Sequence, residues 1–287
     1  MGIEEAYKKL LFELYELYDN REAANIADMV IEYVTGQQKT DRIIHKTIPL
    51  NFQQQEQLEN LTQQLLQHKP VQYVLQEVWF AGMKFFVNES VLIPRPETEE
   101  LIDWITQEIK HNKIIVKTML DIGTGSGCIP ISLQKKNQAL NITALDISKD
   151  ALKVAEKNAV NLSADIIFIC SNFLDENNWK KLPIVDLIVS NPPYIKQSES
   201  ISMQKVVTDF EPHLALFVSD ENPLIFYQKI ALFGKNHLSK NGKIFVEINE
   251  SLGKDVAAIF KKEHYEIELR KDMYGKDRML KADFIKN

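Results

Sequence analysis

The chain has 287 residues, 45% of them hydrophobic and 26% charged, with a formal net charge of −6. That length suits two domains, and that balance suits a globular protein with a sizeable core. The acidic excess argues against nonspecific hold on duplex nucleic acid, no apolar run nears the roughly 20 residues a bilayer demands, and residues 1–17 lack a signal peptide's unbroken apolar core.

Along the chain, apolar residues first recur at helical spacing: Tyr7, Leu10, Leu11, Leu14, Leu17 and Tyr18, then Ala23, Ile26, Ala27, Val30, Ile31 and Val34. Gly36 is a stop signal, and Thr40 is expected to cap a short helix through His45. The glutamine-rich stretch 51–67 carries Leu58, Leu61 and Leu65 on one face, which favours an amphipathic helix over low complexity. Near residue 70 the period changes. Residues 78–81 and 84–87 flank Gly82-Met83 and predict a β-hairpin. The prolines of Ile93-Pro94-Arg95-Pro96-Glu97 predict an ordered loop, shaped by an Arg95–Glu97 ion pair or reserved for substrate, with a helix starting near Thr98. The expected division is a helical domain over 1–72, a hairpin linker over 73–92 and an α/β domain over 93–287.

From Lys117 onward strands and helices alternate. Strands are predicted at 117–122, 142–146, 166–170, 185–190 and 243–248, and helices near 127–136, 149–161, 222–238 and 252–262. The pattern implies a doubly wound, mostly parallel sheet covered on both faces. Two final strands, 264–270 and 278–285, are expected as antiparallel edge strands around a turn at Tyr274-Gly275-Lys276.

The run Asp121-Ile122-Gly123-Thr124-Gly125-Ser126-Gly127 leaves a strand and opens a helix. Alternate glycines let the backbone turn tightly and approach a ligand. A dinucleotide fingerprint would need a glycine at position 128, which is Cys128, and no Lys-Ser/Thr follows to grip phosphate. The spacing suits a nucleoside without a pyrophosphate. Asp146, at the end of the next strand, can accept both ribose hydroxyls. Phe173, in the turn after the third strand, is expected over the base, and Asp121 is read as bracing the loop.

Asn191-Pro192-Pro193-Tyr194 follows the strand 185–190 and so lies at the same sheet edge. Each proline fixes φ and biases the preceding residue to extended ψ. The oxygen of the Asn191 side chain and the carbonyl of Pro192 can then accept both hydrogens of one NH₂ group, while Tyr194 offers a flat face to a planar amide or base. That arrangement suits an amine whose lone pair is delocalised. Preorganised hydrogen bonds of this kind are worth about 3–4 kcal/mol, and positioning roughly 7–11 kcal/mol more. Cys128 and Cys170 match no zinc or disulfide spacing and are read as core fillers. The six histidines are scattered, so no metal is expected.

These residues, with Pro70-Val71-Gln72-Tyr73, Pro94-Arg95-Pro96-Glu97-Thr98-Glu99, Asp146-Ile147-Ser148, Phe210-Glu211-Pro212, Glu247-Ile248 and the 272–278 run, occur in an order that resembles the release factor glutamine methyltransferases. The resemblance implies a seven-stranded class I methyltransferase sheet behind a small helical domain. It implies S-adenosylmethionine at Gly123, Thr124, Gly125, Ser126, Gly127, Asp146 and Phe173. It places a substrate glutamine at Asn191, Pro192, Pro193 and Tyr194, with Asn191 counted at the cofactor too and Asn191, Pro192 and Tyr194 as the catalytic set. The implied substrate is the glutamine of the Gly-Gly-Gln loop of peptide chain release factors, methylated on its side-chain nitrogen; a cytoplasmic location is expected from the missing membrane span and signal-peptide core. The Asn-Pro-Pro-Tyr motif is shared with nucleic-acid adenine methyltransferases, which stand as the alternative, although no target-reading module or basic surface is evident. The chain departs from the family pattern at Gln76, where glycine is usual, and in 217–222 and 249–253.

Overall fold

A computed structural model describes residues 1–111, 116–203 and 205–284. It divides into two compact units, Met1–Glu77 and Val78–Asn287. The first contains α1 (Ile3–Leu14), α2 (Asn20–Thr35), α3 (Lys39–Ile44), α4 (Phe52–Leu66) and α5 (Val71–Leu75). Their apolar stripes meet in one core that includes Leu10, Leu14, Ala27, Ile31 and Leu65. Asp19 caps α2 by accepting the Arg21 and Glu22 N–H groups, and Gly36 ends it at φ 69°. Asn51 and Gln54 cap α4 reciprocally, so the glutamine-rich stretch is a true helix with Leu58, Leu61 and Leu65 inward. The short helix α3 starts after Gln38 rather than at Thr40. Lys39 and Arg42 both pair with Asp28 of α2, and this tertiary contact draws the first turn forward.

Gln76 closes α5 at φ 55° and ψ 30°. This left-handed conformation is the one that glycine adopts without strain, which explains why the family pattern favours glycine there.

A hairpin of β1 (Glu77–Phe80) and β2 (Met83–Phe86) follows, its first residue being the last of the first unit and the rest belonging to the second. Its turn residues are Ala81 and Gly82, at φ 50° and 76°, one position earlier than Gly82-Met83. A two-residue turn matching strand twist needs both central residues at positive φ. Next, α6 (Pro96–His111) begins two residues ahead of Thr98, because a proline fits the first helical position, where its missing N–H has no partner to lose.

The body follows: β3 (Thr118–Ile122), α7 (Cys128–Lys136), β4 (Asn141–Asp146), α8 (Lys149–Asn161), β5 (Ile166–Cys170), β6 (Val185–Ser190), β7 (Ile195–Lys196), α9 (Lys205–Phe210), α10 (His213–Leu216), β8 (Phe217–Val218), α11 (Ile225–His237), β9 (Leu238–Glu247), α12 (Gly253–Lys262), β10 (Tyr265–Lys271) and β11 (Asp277–Phe284). The seven-stranded sheet has the order β10-β11-β9-β6-β3-β4-β5. It is the doubly wound, mostly parallel sheet that the alternation predicts. Of the two last strands only β11 runs against the others, and it lies inside, paired with both β9 and β10. Residue 285, the last of the expected strand, lies outside the described residues. Leu120, Ile188, Ile244 and Val246 of the sheet pack against Tyr227 and Phe233 of α11 and Phe260 of α12. The chain runs outward from β3 through β4 to β5, then crosses back to β6 on the other flank of β3. That reversal opens a crevice beyond the carboxyl ends of β3 and β6, where such sheets bind ligands.

Candidate active site

Ile122 of β3 is paired with Ser190 of β6, and the Ser190 hydroxyl donates to the Ile122 carbonyl at 2.7 Å. Both strands end at this level, so Gly123 and Asn191 begin their turns side by side. A cavity of about 380 Å³ opens there. Gly123, Thr124, Gly125, Ser126, Asp146, Phe173, Asn191 and Pro193 line it, while Gly127, Pro192 and Tyr194 do not.

Gly123 and Gly125 sit at φ 76° and 53°, and a Cβ on either would meet nothing within 4 Å. Conformation, not crowding, therefore demands glycine, since a side chain in this region costs about 1–2 kcal/mol. Gly127 differs. It caps α7 at φ 78°, and a Cβ there would press on Ile131 Cδ1 at 3.1 Å and Ala155 Cβ at 3.2 Å, so it lets α7 approach α8. Asn158, fully buried on α8, holds the loop and the hairpin together. Its Oδ1 accepts the Phe86 N–H, and its Nδ2 donates to the carbonyls of Phe86 and Ser126. Sequence reasoning passed over this residue, although an asparagine among the inward alanines of α8 is a visible anomaly.

Asp146 Oδ2 accepts the Gly125 N–H and its Oδ1 the Ser148 N–H, both at 2.9 Å. Burial raises its pKa, against those two bonds. A carboxylate has about four acceptor sites, so capacity remains for a diol. Asp146, not Asp121, braces the glycine loop. Asp121 is fully buried and neither of its oxygens completes a hydrogen bond. Burial pushes Asp121 up to about 7, with the nearby Thr124 hydroxyl, which stops short of a completed hydrogen bond, pulling the other way and the Asp146 charge adding to the rise.

On the other turn, Asn191 Nδ2 donates to Thr98 Oγ1 at 3.3 Å, and Thr98 donates to Glu247 Oε2 at 2.6 Å. Tyr194 packs on the sheet core and donates its hydroxyl to Glu247 Oε1 at 3.4 Å. Burial pushes Glu247 up to about 7, opposed by the Thr98 bond and Arg278. Thr98 and Glu247 had only family resemblance to mark them. The visible signal was an acid ending an apolar strand.

Arg95 pairs with Glu211 instead of Glu97, and the same buried carboxylate takes the Ile93 N–H. The proline-rich loop is thus tied to the segment before α10, and Pro94, Arg95 and Pro212 all line the cavity. Asp272 receives the N–H groups of Tyr274 and Lys276 and the Arg278 side chain, and the same turn is tied to Glu100 through the Met273 N–H and to Glu250 through Lys276 and Arg278. Burial pushes the Cys128 thiol up to about 12, which leaves it protonated and inert. Cys170 is exposed rather than core, because β5 is the sheet's edge strand. Among the described residues no cluster of three His, Cys, Asp or Glu could hold a metal ion, and no helix is long and apolar enough to cross a membrane.

Residues 100–215 match the family model of the methyltransferase small domain, and residues 6–75 that of the PrmC N-terminal domain. The fold is shared with a solved structure titled hMettl16 catalytic domain in complex with MAT2A 3'UTR hairpin 6, at a TM-score of 0.53, 16% identity, and coverage of 84% of this chain and 86% of that one. The chain is therefore a methyltransferase in fold and class. A release factor glutamine methyltransferase of Flavobacterium psychrophilum is 41% identical over 94% of this chain and 95% of its own length. One from Bacteroides thetaiotaomicron is 38% identical over 94% and 96%. The chain belongs to the release factor glutamine methyltransferase family.

Proposed function

We propose that this enzyme transfers a methyl group from S-adenosylmethionine to the side-chain amide nitrogen of the glutamine in the Gly-Gly-Gln loop of peptide chain release factors. The observation that carries this reading is a single cavity lined by both Asp146 and Asn191 at the ends of neighbouring strands. Its residues fit the cofactor. The glycine loop leaves open space, Asp146 keeps acceptor capacity for a ribose diol, and Phe173 adds an apolar surface. When bound, S-adenosylmethionine supplies an electrophilic methyl whose carbon leaves the sulfonium sulfur, the bonding pair staying behind.

The protein's own part is positioning. Asn191 Oδ1 and, from the same turn although not among the cavity-lining residues, the Pro192 carbonyl accept the two amide hydrogens, aim the nitrogen and stabilise the positive charge growing on it. The methylated nitrogen is acidic and sheds one proton without a strong base. Residues 93–287 form the transferase domain, joined by the 73–92 linker to a 1–72 helical domain that docks the release factor. That domain leaves Phe12 and Phe52 exposed at 74% and 83%. A cytoplasmic location goes with this substrate. Adenine methylation is not favoured, since relatives spanning nearly the whole chain are named for release factor glutamine.

Mass spectrometry of an unmethylated release factor incubated with enzyme and S-adenosylmethionine is the test. One methyl on the Gly-Gly-Gln glutamine is expected. Its absence, with cofactor binding demonstrated, would overturn the reading.

A further inference from the structure

An asparagine side chain can face a ligand with either end, and only the oxygen is useful against an amide NH₂. Something must choose. Asn191, Thr98 and Glu247 form a chain in which each polarity follows from the next. An ionised carboxylate only accepts, so the Thr98 hydroxyl gives its one proton to Glu247 Oε2, at 2.6 Å. With that proton spent, the Thr98 oxygen can only accept. Asn191 must then present its NH₂, which it does at 3.3 Å. The other end of the amide, the oxygen, is left for the cavity that Asn191 lines.

We propose that Glu247, acting through the Thr98 hydroxyl, is a positioning residue that locks the Asn191 amide with its oxygen toward the substrate. The inference rests on the proposed reading of Asn191 as acceptor for the glutamine amide. Thr98 and Glu247 are each only 2% exposed, so water does not compete for the hydroxyl proton. Tyr194, donating to the second oxygen of Glu247, leaves that carboxylate no reason to rotate.

The lock depends on charge. Protonated Glu247 becomes a donor, Thr98 can then turn its proton to Asn191 Oδ1, and the amide is free to flip. Arg278 of β11 and the bonds from Thr98 and Tyr194 favour the ionised form, whereas burial and Glu97 of α6 oppose it, with the balance near pH 7. Tyr227 of α11 and Cys128 of α7 also feel the Glu247 charge, and burial holds both protonated.

The test is turnover at saturating cofactor across pH 5.5–9, in the unaltered enzyme and in Thr98→Val, Thr98→Ser and Glu247→Gln. Thr98→Val should lose about 10–100-fold in kcat, part of the effect of deleting the acceptor itself, with cofactor affinity unchanged. Thr98→Ser, which keeps the hydroxyl, should recover most of that. The acidic limb of the unaltered enzyme should vanish in both Thr98→Val and Glu247→Gln. Equal turnover in the valine and serine variants, or an acidic limb that persists in Glu247→Gln, would overturn the proposal. A second readout needs no methyl transfer. The Asn191 side-chain NH₂ resonance of selectively labelled protein should titrate near pH 7 in the unaltered chain and stay flat in Glu247→Gln. A titration unchanged by that substitution refutes the lock. Failure to methylate any release factor, with this titration intact, would instead refute the proposed substrate.

Discussion

A buried carboxyl lies near each of the two turns that meet at the cavity, and the protein treats the two acids in opposite ways. Asp121, two residues before the glycine loop, makes no hydrogen bond through either oxygen. Glu247, behind the Asn-Pro-Pro-Tyr turn, accepts from both Thr98 and Tyr194. Burial pushes both to about 7. The same elevated pKa therefore has two meanings. At Asp121 it records desolvation with little return. At Glu247 it accompanies a hydrogen-bonded chain whose members lose their partner if the acid is removed, which is the expensive kind of change.

The largest effect should come from Asp121. A folded pKa of about 7 against 3.8 corresponds to on the order of 4 kcal/mol. Because the native state then binds more protons than the unfolded chain, this contribution is present below about pH 4 and is lost as pH rises through about 7. Glu247 adds a loss of the same sign. Urea unfolding of the cofactor-free protein should thus show stability declining from pH 5 to pH 8, and Asp121→Asn should flatten much of the decline. A stability that climbs over this range would break the comparison.

Next is Asn191→Ala. Loss of one preorganised acceptor should lower single-turnover methylation by about 10²–10³-fold, while calorimetry finds cofactor affinity nearly unchanged. Equal loss of affinity would show that the two turns do not divide their labour. Asp146→Ala should do the reverse. The loss of even one charged hydrogen bond of about 1.5–3 kcal/mol implies roughly 10–100-fold weaker cofactor binding, with chemistry recovered at saturation. The smallest effect concerns backbone alone. Gln76 is an exposed side chain at φ 55°, in the region that Gly123 and Gly125 occupy freely. Gln76→Gly should stabilise the protein by up to about 1 kcal/mol in urea denaturation. No gain would show that local strain is not what favours glycine at such positions.

Much of this was legible in the residues themselves. The 3.6 and 2.0 periodicities marked the helices and strands because burial of one face repeats with backbone geometry. The three glycines marked a loop needing positive φ, and the two prolines marked a rigid turn, because both residue types act on their own backbone. Asp146 was singled out by its expected place at a strand end, and it does end β4 and line the cavity. Where element boundaries slipped, at α3 and in the hairpin turn, a tertiary contact or the hand of the turn decided, not propensity.

What only the tertiary structure decided is which side chains meet. Thr98 reaches Glu247 and Asn191, Arg95 reaches Glu211, and Asn158 joins Phe86 to Ser126, all across long stretches of chain. The sequence by itself determined the strands, the two turns and the chemistry they could carry, since those follow from forces within a few residues. It could not determine the partners. A carboxylate takes its role from the donor that happens to face it, and that is set by how the sheet brings distant strand ends together.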